Sequence, residues 1–344
     1  MPHTPSGSNR SIPFVVGSYA SAPADAAERD RYEDMVKEAT WVSGLELPYP
    51  GLLAADPRRV AHSLNDEWTS NVITAIPGTM QRVAADPTFG LASPDSAGRA
   101  AAIEFTRSVR QAVQALADAK GRSVVAAVEL HSAPTRQADP SALKASLEDV
   151  LAWDWAGAQL VIEHCDRWTD SHTPEKGFLP LEAEIEVVRS LGLRMTINWG
   201  RSCLEERSAA AALTVVEATR RAGVLGGLMF SGASPHTTTY GGPWADAHLP
   251  ASEDDPESLM TSAAVTACTT EASRPIEGIP PLTYIGAKIS APKDASPDRR
   301  LQLIETIARA ANVPSTPAAG IFEALTSEPD PVHLTPALLR EDRP

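Results

Sequence analysis

The sequence predicts an α/β fold and, within that class, a closed (β/α)8 barrel. Three observations carry this expectation. Short apolar runs rich in β-branched residues alternate with amphipathic helical stretches from residue 13 to residue 311. Each kind occurs eight times, which favours a closed barrel over an open doubly wound sheet. Ionisable residues gather at the C-terminal ends of several runs, where a parallel barrel builds its functional mouth. The stretch 158–168, AQLVIEHCDRW, combines these features. Leu160, Val161 and Ile162 read as a strand buried on both faces, and Glu163, His164, Asp166 and Arg167 follow at once.

In chain order, residues 1–12 are polar and expected to be disordered. Residues 13–19 form the first strand and 25–43 an amphipathic helix. The second strand, 44–48, is closed by Pro48. Asp56 caps a helix running to Asn65 with Pro57 at its first position. Residues 71–76 are the third strand. The segment 77–98, punctuated by proline and glycine, reads as a long loop over the mouth. A helix over 99–120 leads to the fourth strand, SVVAAVEL at 123–130, and a helix over 141–155 to the fifth. A helix over 179–191 stops at Gly192, and 195–199 is the sixth strand. Residues 204–222 are helical, 227–231 is the seventh strand, and 232–256 is a second long loop. A helix near 257–270, the eighth strand at 284–289 and a helix over 298–311 complete the barrel. The proline-rich residues 312–344 are expected to pack on its outside, with a short helix near 319–325.

Composition narrows the partners. The chain has 344 residues, 43% of them hydrophobic, and a formal charge of -14, so phosphate backbones and anionic lipid are repelled while neutral sugars are not. Three scattered cysteines make no disulfide or zinc framework, and no leader-like or membrane-length apolar run is present. A cytoplasmic protein without nucleic-acid or membrane partners is expected, with a homo-oligomer left open. No glycine-rich phosphate cradle follows the first strand, which disfavours a nucleotide fold.

Side chains alternate along a strand, so parity selects the lumen. Glu129 and His131 share a phase on the fourth strand, Glu163 is in phase with Val161, and Lys288 with Gly286. With Glu46 and Asn198 they define an expected pocket, and Tyr19, Arg201 and His236 lie nearby on loops. Phe89, Trp199 and Trp244 are candidate walls for the apolar face of a sugar. Bland readings stand beside these: Glu46 and Lys288 can form structural ion pairs, His164 can be a packed histidine, and the aromatics can be core.

The strand order and the ending "VIEHCD" resemble the xylose-isomerase-like barrels, which include sugar isomerases and epimerases. "KGFLPLEAEI" at 176–185, "NWGRS" at 198–202 and "YGGPWADAHLP" at 240–250 resemble an actinobacterial family carried under a domain-of-unknown-function label. The wider resemblance implies a divalent metal (Mn, Zn, Co or Mg) held by acidic and histidine residues on strands five to eight. Here only Glu163 matches; Asn198, Ser231 and Lys288 stand at the other places, with His236 on the following loop. No cofactor is therefore expected, although a displaced site using Glu163, His131 and Glu129 is open. The resemblance implies proton transfer next to a sugar carbonyl, with Glu163 as base, His131 or Glu129 as acid, and Lys288 in the electrostatic role of the metal. Glycoside cleavage by Glu129 and Glu163, a non-catalytic sugar-binding barrel, and a Schiff base at Lys288 are the alternatives.

Overall fold

A computed structural model describes residues 12–311. Eight parallel strands form one ring: β1 (Phe14–Val16), β2 (Gly44–Pro48), β3 (Asn71–Thr74), β4 (Val125–Leu130), β5 (Gln159–His164), β6 (Arg194–Asn198), β7 (Leu225–Phe230) and β8 (Tyr284–Ala287). Each pairs with its sequence neighbours, and β1 closes on β8 through Val15 opposite Gly286. The expected closed barrel is the observed one. Helices begin where local chemistry starts them. Asp56 accepts from the Arg59 amide with Pro57 in the first turn, and Asp139 does the same for Ala142 with Pro140. The helix Leu181–Ser190 ends before Gly192, whose φ of +67° suits a residue without a Cβ.

The first strand is shorter than expected, with Tyr19 on a 3-10 turn at Ser18–Ala20. The first helix ends at Glu38, and a short helix Gly51–Ala55 is added. Three further boundaries differ more. Much of the segment read as a loop over 77–98 is the helix Ile76–Ala85. Pro77 sits in its first turn, where a missing amide hydrogen costs nothing, so a residue read as a breaker is an initiator. The helix expected over 204–222 is two, Trp199–Glu206 and Ala211–Arg221, divided at the left-handed Arg207. The helix after β7 starts at Ser262, capped by Thr261, so the preceding loop extends to 261. The expectations for residues 1–11 and 312–344 lie outside the described residues. No helix among the described residues is long and apolar enough to cross a membrane.

Two apolar layers hold the barrel. The larger lies between the outward faces of the strands and the helices. The smaller fills the lumen with Val15, Val72, Ala127, Val161, Met229 and Tyr284. Above this plug, toward the C-terminal strand ends, the same inward phase turns ionisable.

Candidate functional site

Inward parity carries the apolar plug directly into a charged layer. Val161 is followed two residues later by Glu163, Ala127 by Glu129 and then His131, and Tyr284 by Lys288 four residues on. Glu46 and Asn198 join from β2 and β6. All six are at most 2% exposed. The structure therefore brings together every strand residue named from the sequence, together with Tyr19 and Arg201.

The contacts form one network. Lys288 Nζ donates to Glu46 Oε1 at 3.0 Å and lies 4.0 Å from Glu163 Oε1. The Tyr19 hydroxyl donates to Glu46 Oε2 at 2.8 Å. Arg201, in the first turn of the helix that Asn198 caps, places its guanidinium 2.6 Å from Glu163 Oε1. The principal cation of Glu163 is thus Arg201, and Lys288 belongs first to Glu46. His131 Nε2 meets Glu163 Oε2 at 2.8 Å. Because a carboxylate only accepts, Nε2 carries the hydrogen and neutral His131 has its lone pair on Nδ1. On the other side Tyr284 donates to Glu129 Oε1 at 2.7 Å, its own oxygen accepting from Thr196 at 2.5 Å.

Apart from Glu163 Oε1, which is ion-paired with Arg201, three polar atoms of this layer have no hydrogen-bond partner among the described residues: Glu129 Oε2, His131 Nδ1 and Asn198 Nδ2. The charges around them push neighbouring groups in opposite directions. Burial, with Glu163 and Glu46 close by, raises the Glu129 carboxyl well above its usual range. Burial lowers the His131 imidazole, an effect that Glu163 only partly offsets. Burial also opposes the charge of Glu163, but Arg201, Lys288 and the His131 hydrogen bond outweigh it and hold that carboxyl well below the usual range. Burial opposes the charge of Lys288 too, and Glu46 outweighs it, so the ammonium persists.

Three residues not foreseen, Asp246, Lys176 and Tyr284, complete the layer. Asp246, from the long loop after β7, reaches Arg201 Nε at 3.2 Å, Lys176 Nζ at 3.1 Å and His248 Nδ1 at 3.2 Å. Lys176 comes from the loop after β5, where Asp166 accepts from the Glu175 amide at 2.6 Å and from the Lys176 amide. Loop residues have no periodicity, and nothing short of the folded loops brings them to the mouth. Tyr284 was legible in principle, because it shares the phase of Lys288.

Of four other residues expected at the site, Trp199 and His236 lie elsewhere, whereas Phe89 lines a small cavity with His131 and Trp244 lies two residues from Asp246. Trp199 follows Asn198 in the opposite phase and is buried on the outer side of the barrel, beside Cys268. Phe89 packs edge-on to Phe105 under Arg82. Trp244 carries the guanidinium of Arg207 on its ring. His236 is exposed on the loop after β7, among threonines. Aromatic type alone did not select walls of the mouth, because these rings satisfy packing and cation–π needs first.

Potential metal ligands do converge in two groups, Glu46 with Glu129 and Glu163, and His131 with Glu163 and Cys165. Both depend on Glu163, whose oxygens are already engaged by Arg201 and by His131. Two fixed cations hold the centre of the carboxylates, so this donor set does not fit a divalent ion.

The chain belongs to the family described as Domain of unknown function (DUF4862), which matches residues 15–303. An uncharacterized protein of Salmonella typhimurium, STM3670, is 34% identical over 280 residues, 76% of this chain and 85% of that protein. Among solved structures, a provisionally assigned xylose isomerase from Rhodospirillum rubrum is similar with a TM-score of 0.55 at 12% identity, covering 87% of this chain and 98% of that one. An AP endonuclease, family 2, from Brucella melitensis gives a TM-score of 0.52 at 12% identity over 85% and 97% of the two chains. D-Psicose 3-epimerase with D-tagatose from Clostridium cellulolyticum gives a TM-score of 0.50 at 12% identity over 88% and 96%. The fold is thus that of the xylose-isomerase-like barrels.

Proposed function

We propose that this protein is a carbohydrate-directed isomerase or epimerase that moves a proton next to a carbonyl without a metal. The observation that carries the reading is the pair on β4. Glu129 and His131 face one lumen, two residues apart, and each has an unpartnered buried atom. Their ionisations are driven apart, Glu129 up and His131 down, which is the pattern of an acid and a base at neutral pH. The neighbours with sugar-isomerase and epimerase names support the substrate class.

The contacts support roles that differ from the first expectation for Glu163. Held anionic by Arg201, Glu163 is a poor base and acts by fixing the His131 tautomer. The C–H bond beside the carbonyl breaks and its proton goes to His131 Nδ1. Glu129, whose Oε1 already accepts from Tyr284, gives its proton from Oε2 to the carbonyl oxygen. Lys288 and Arg201 stabilise the charge that develops on the oxygens. For isomerisation, His131 returns the proton from Nδ1 to the neighbouring carbon while the other enediol hydroxyl gives its proton to the Glu129 carboxylate. This restores both groups and leaves the carbonyl one carbon along. Epimerisation instead takes its proton from solvent on the other face of the same carbon, with the enol hydroxyl returning its proton to Glu129 and His131 giving up its own to water. Glycoside cleavage is less well supported. The Glu46, Glu129 and Glu163 oxygens lie within 4.8 Å of one another, and Glu163 is engaged. A retaining pair needs its carboxyl groups about 5–5.5 Å apart with a sugar between them.

Aldoses, ketoses and their acids incubated with the protein in deuterated water should gain deuterium beside the carbonyl. Complete absence of exchange across such a panel would sink this reading.

A further inference from the structure

The charged layer is closed, so whatever reaches Glu129 and His131 must displace part of it. Its strand residues cannot withdraw without opening the barrel. Lys176 is pinned by the bonds from Asp166 to its own backbone. Asp246 is different. It belongs to an irregular loop, and the residues on either side of its short segment, Trp244 and His248, are non-glycine residues with φ of +58° and +54°. Such conformations are held only by their surroundings. Here those surroundings are the Ser290 contacts to Ala247 and His248, the Trp244 amide bond to Ser234 and the ion pairs of Asp246 itself.

The ion pairs give this segment a meaning. Asp246 is the carboxylate that meets Lys176 Nζ, it shares Arg201 with Glu163 and also meets His248 Nδ1, while Lys288 is paired with Glu46. Withdrawal of Asp246 leaves one cation unmatched in a buried site, which is strongly unfavourable. A neutral sugar does not correct that; a monoanion does.

We infer that the substrate is a sugar acid, and that Asp246 is the intramolecular stand-in for its carboxylate, seated on Arg201 and Lys176 until the loop withdraws. The carbohydrate part of this assignment rests on the function proposed above, while the anionic part rests on the Asp246 contacts alone. A carboxylate matches the planar group it replaces and its single charge. A phosphate monoester brings nearly two charges and overshoots the balance.

The test is calorimetric titration of the full chain with hexuronates and hexonates, with the matched neutral hexoses and with hexose phosphates. The acids should bind at least about tenfold tighter than their neutral partners, the difference shrinking at high salt. Asp246→Asn removes the internal competitor and should tighten the acids, whereas Lys176→Gln should weaken them about tenfold, with the matched neutral hexoses moved less than the acids by each. Melting curves confirm that each variant is folded, and the wild-type arm needs no variant. The assignment is overturned if no acid binds more tightly than its neutral partner, if phosphates bind tightest, or if folded Asp246→Asn weakens the acids. Binding of an acid without deuterium exchange would refute the isomerase reading and leave this one standing.

Discussion

Glu163 and His164 are adjacent at the end of β5 and point to opposite sides of the sheet, each into a histidine–carboxylate cluster. Inside the barrel His131 has one carboxylate, Glu163, and its second nitrogen has no partner among the described residues. Outside it, His164 is clamped by two, with Glu184 at 2.6 Å on Nδ1 and Glu205 at 2.9 Å on Nε2. Ser132 and Arg167 satisfy the remaining carboxylate oxygens. Both histidines are buried, and burial lowers both. The second carboxylate reverses the outcome for His164, which is raised to about 10, while His131 stays below its ordinary value. The same residue types thus make a saturated, permanently charged tie between β5 and two helices on one face, and an unsaturated neutral base on the other. Saturation distinguishes a structural cluster from a reactive one.

The largest effect expected is on turnover. His131→Asn or Glu129→Gln should lower kcat by roughly 10²–10⁴, the usual worth of a proton-transfer group, with little change in melting temperature. If both variants keep wild-type rates, the inner cluster is as structural as the outer one.

His164→Ala should do the reverse. It strands Glu184 as a buried carboxylate and leaves Glu205 with Arg167 alone, costing about 3–5 kcal/mol in urea unfolding, while turnover per folded molecule falls far less than in His131→Asn. A stability loss below the uncertainty of the melts would show that the clamp is not a tie.

The two histidines should also separate on the pH axis. His164 is raised above its ordinary 6.5, so its stabilisation is complete below pH 6.5 and is lost as pH rises through about 10. His131 is lowered, so its contribution is complete above 6.5 and is lost as pH falls through its folded value. Histidine-resolved NMR titration reads both directly. Turnover should be bell-shaped, rising as His131 loses its proton and falling as Glu129 loses its own. A single imidazole value shared by both rings would erase the comparison.

The smallest effects lie outside both clusters. His236→Ala should change stability by less than about 0.5 kcal/mol and leave turnover unchanged, as for other exposed positions. Treatment with EDTA should leave turnover unchanged as well. One tightly bound divalent ion whose removal abolishes activity would replace Lys288 and Arg201 with metal in the electrostatic role.

Alternation of β-branched runs with helical stretches was enough to determine the barrel, because a parallel strand can return only through a crossover that buries a helix on the sheet. Period-two parity determined the lumen: Glu46, Glu129, His131, Glu163, Asn198 and Lys288 were legible because a strand fixes the side each residue faces. What parity cannot carry is partnership. Glu184 and Glu205 are 20 and 41 residues from His164, and Asp246 is 45 from Arg201 on a loop without period. Only the folded chain decided that Glu163 is neutralised by Arg201, that His164 is saturated, and that Trp199 faces away from the mouth. Those outcomes depend on which charges meet in a low-dielectric interior. That is set by tertiary approach over a few ångströms, whereas local propensity and spacing act along the chain.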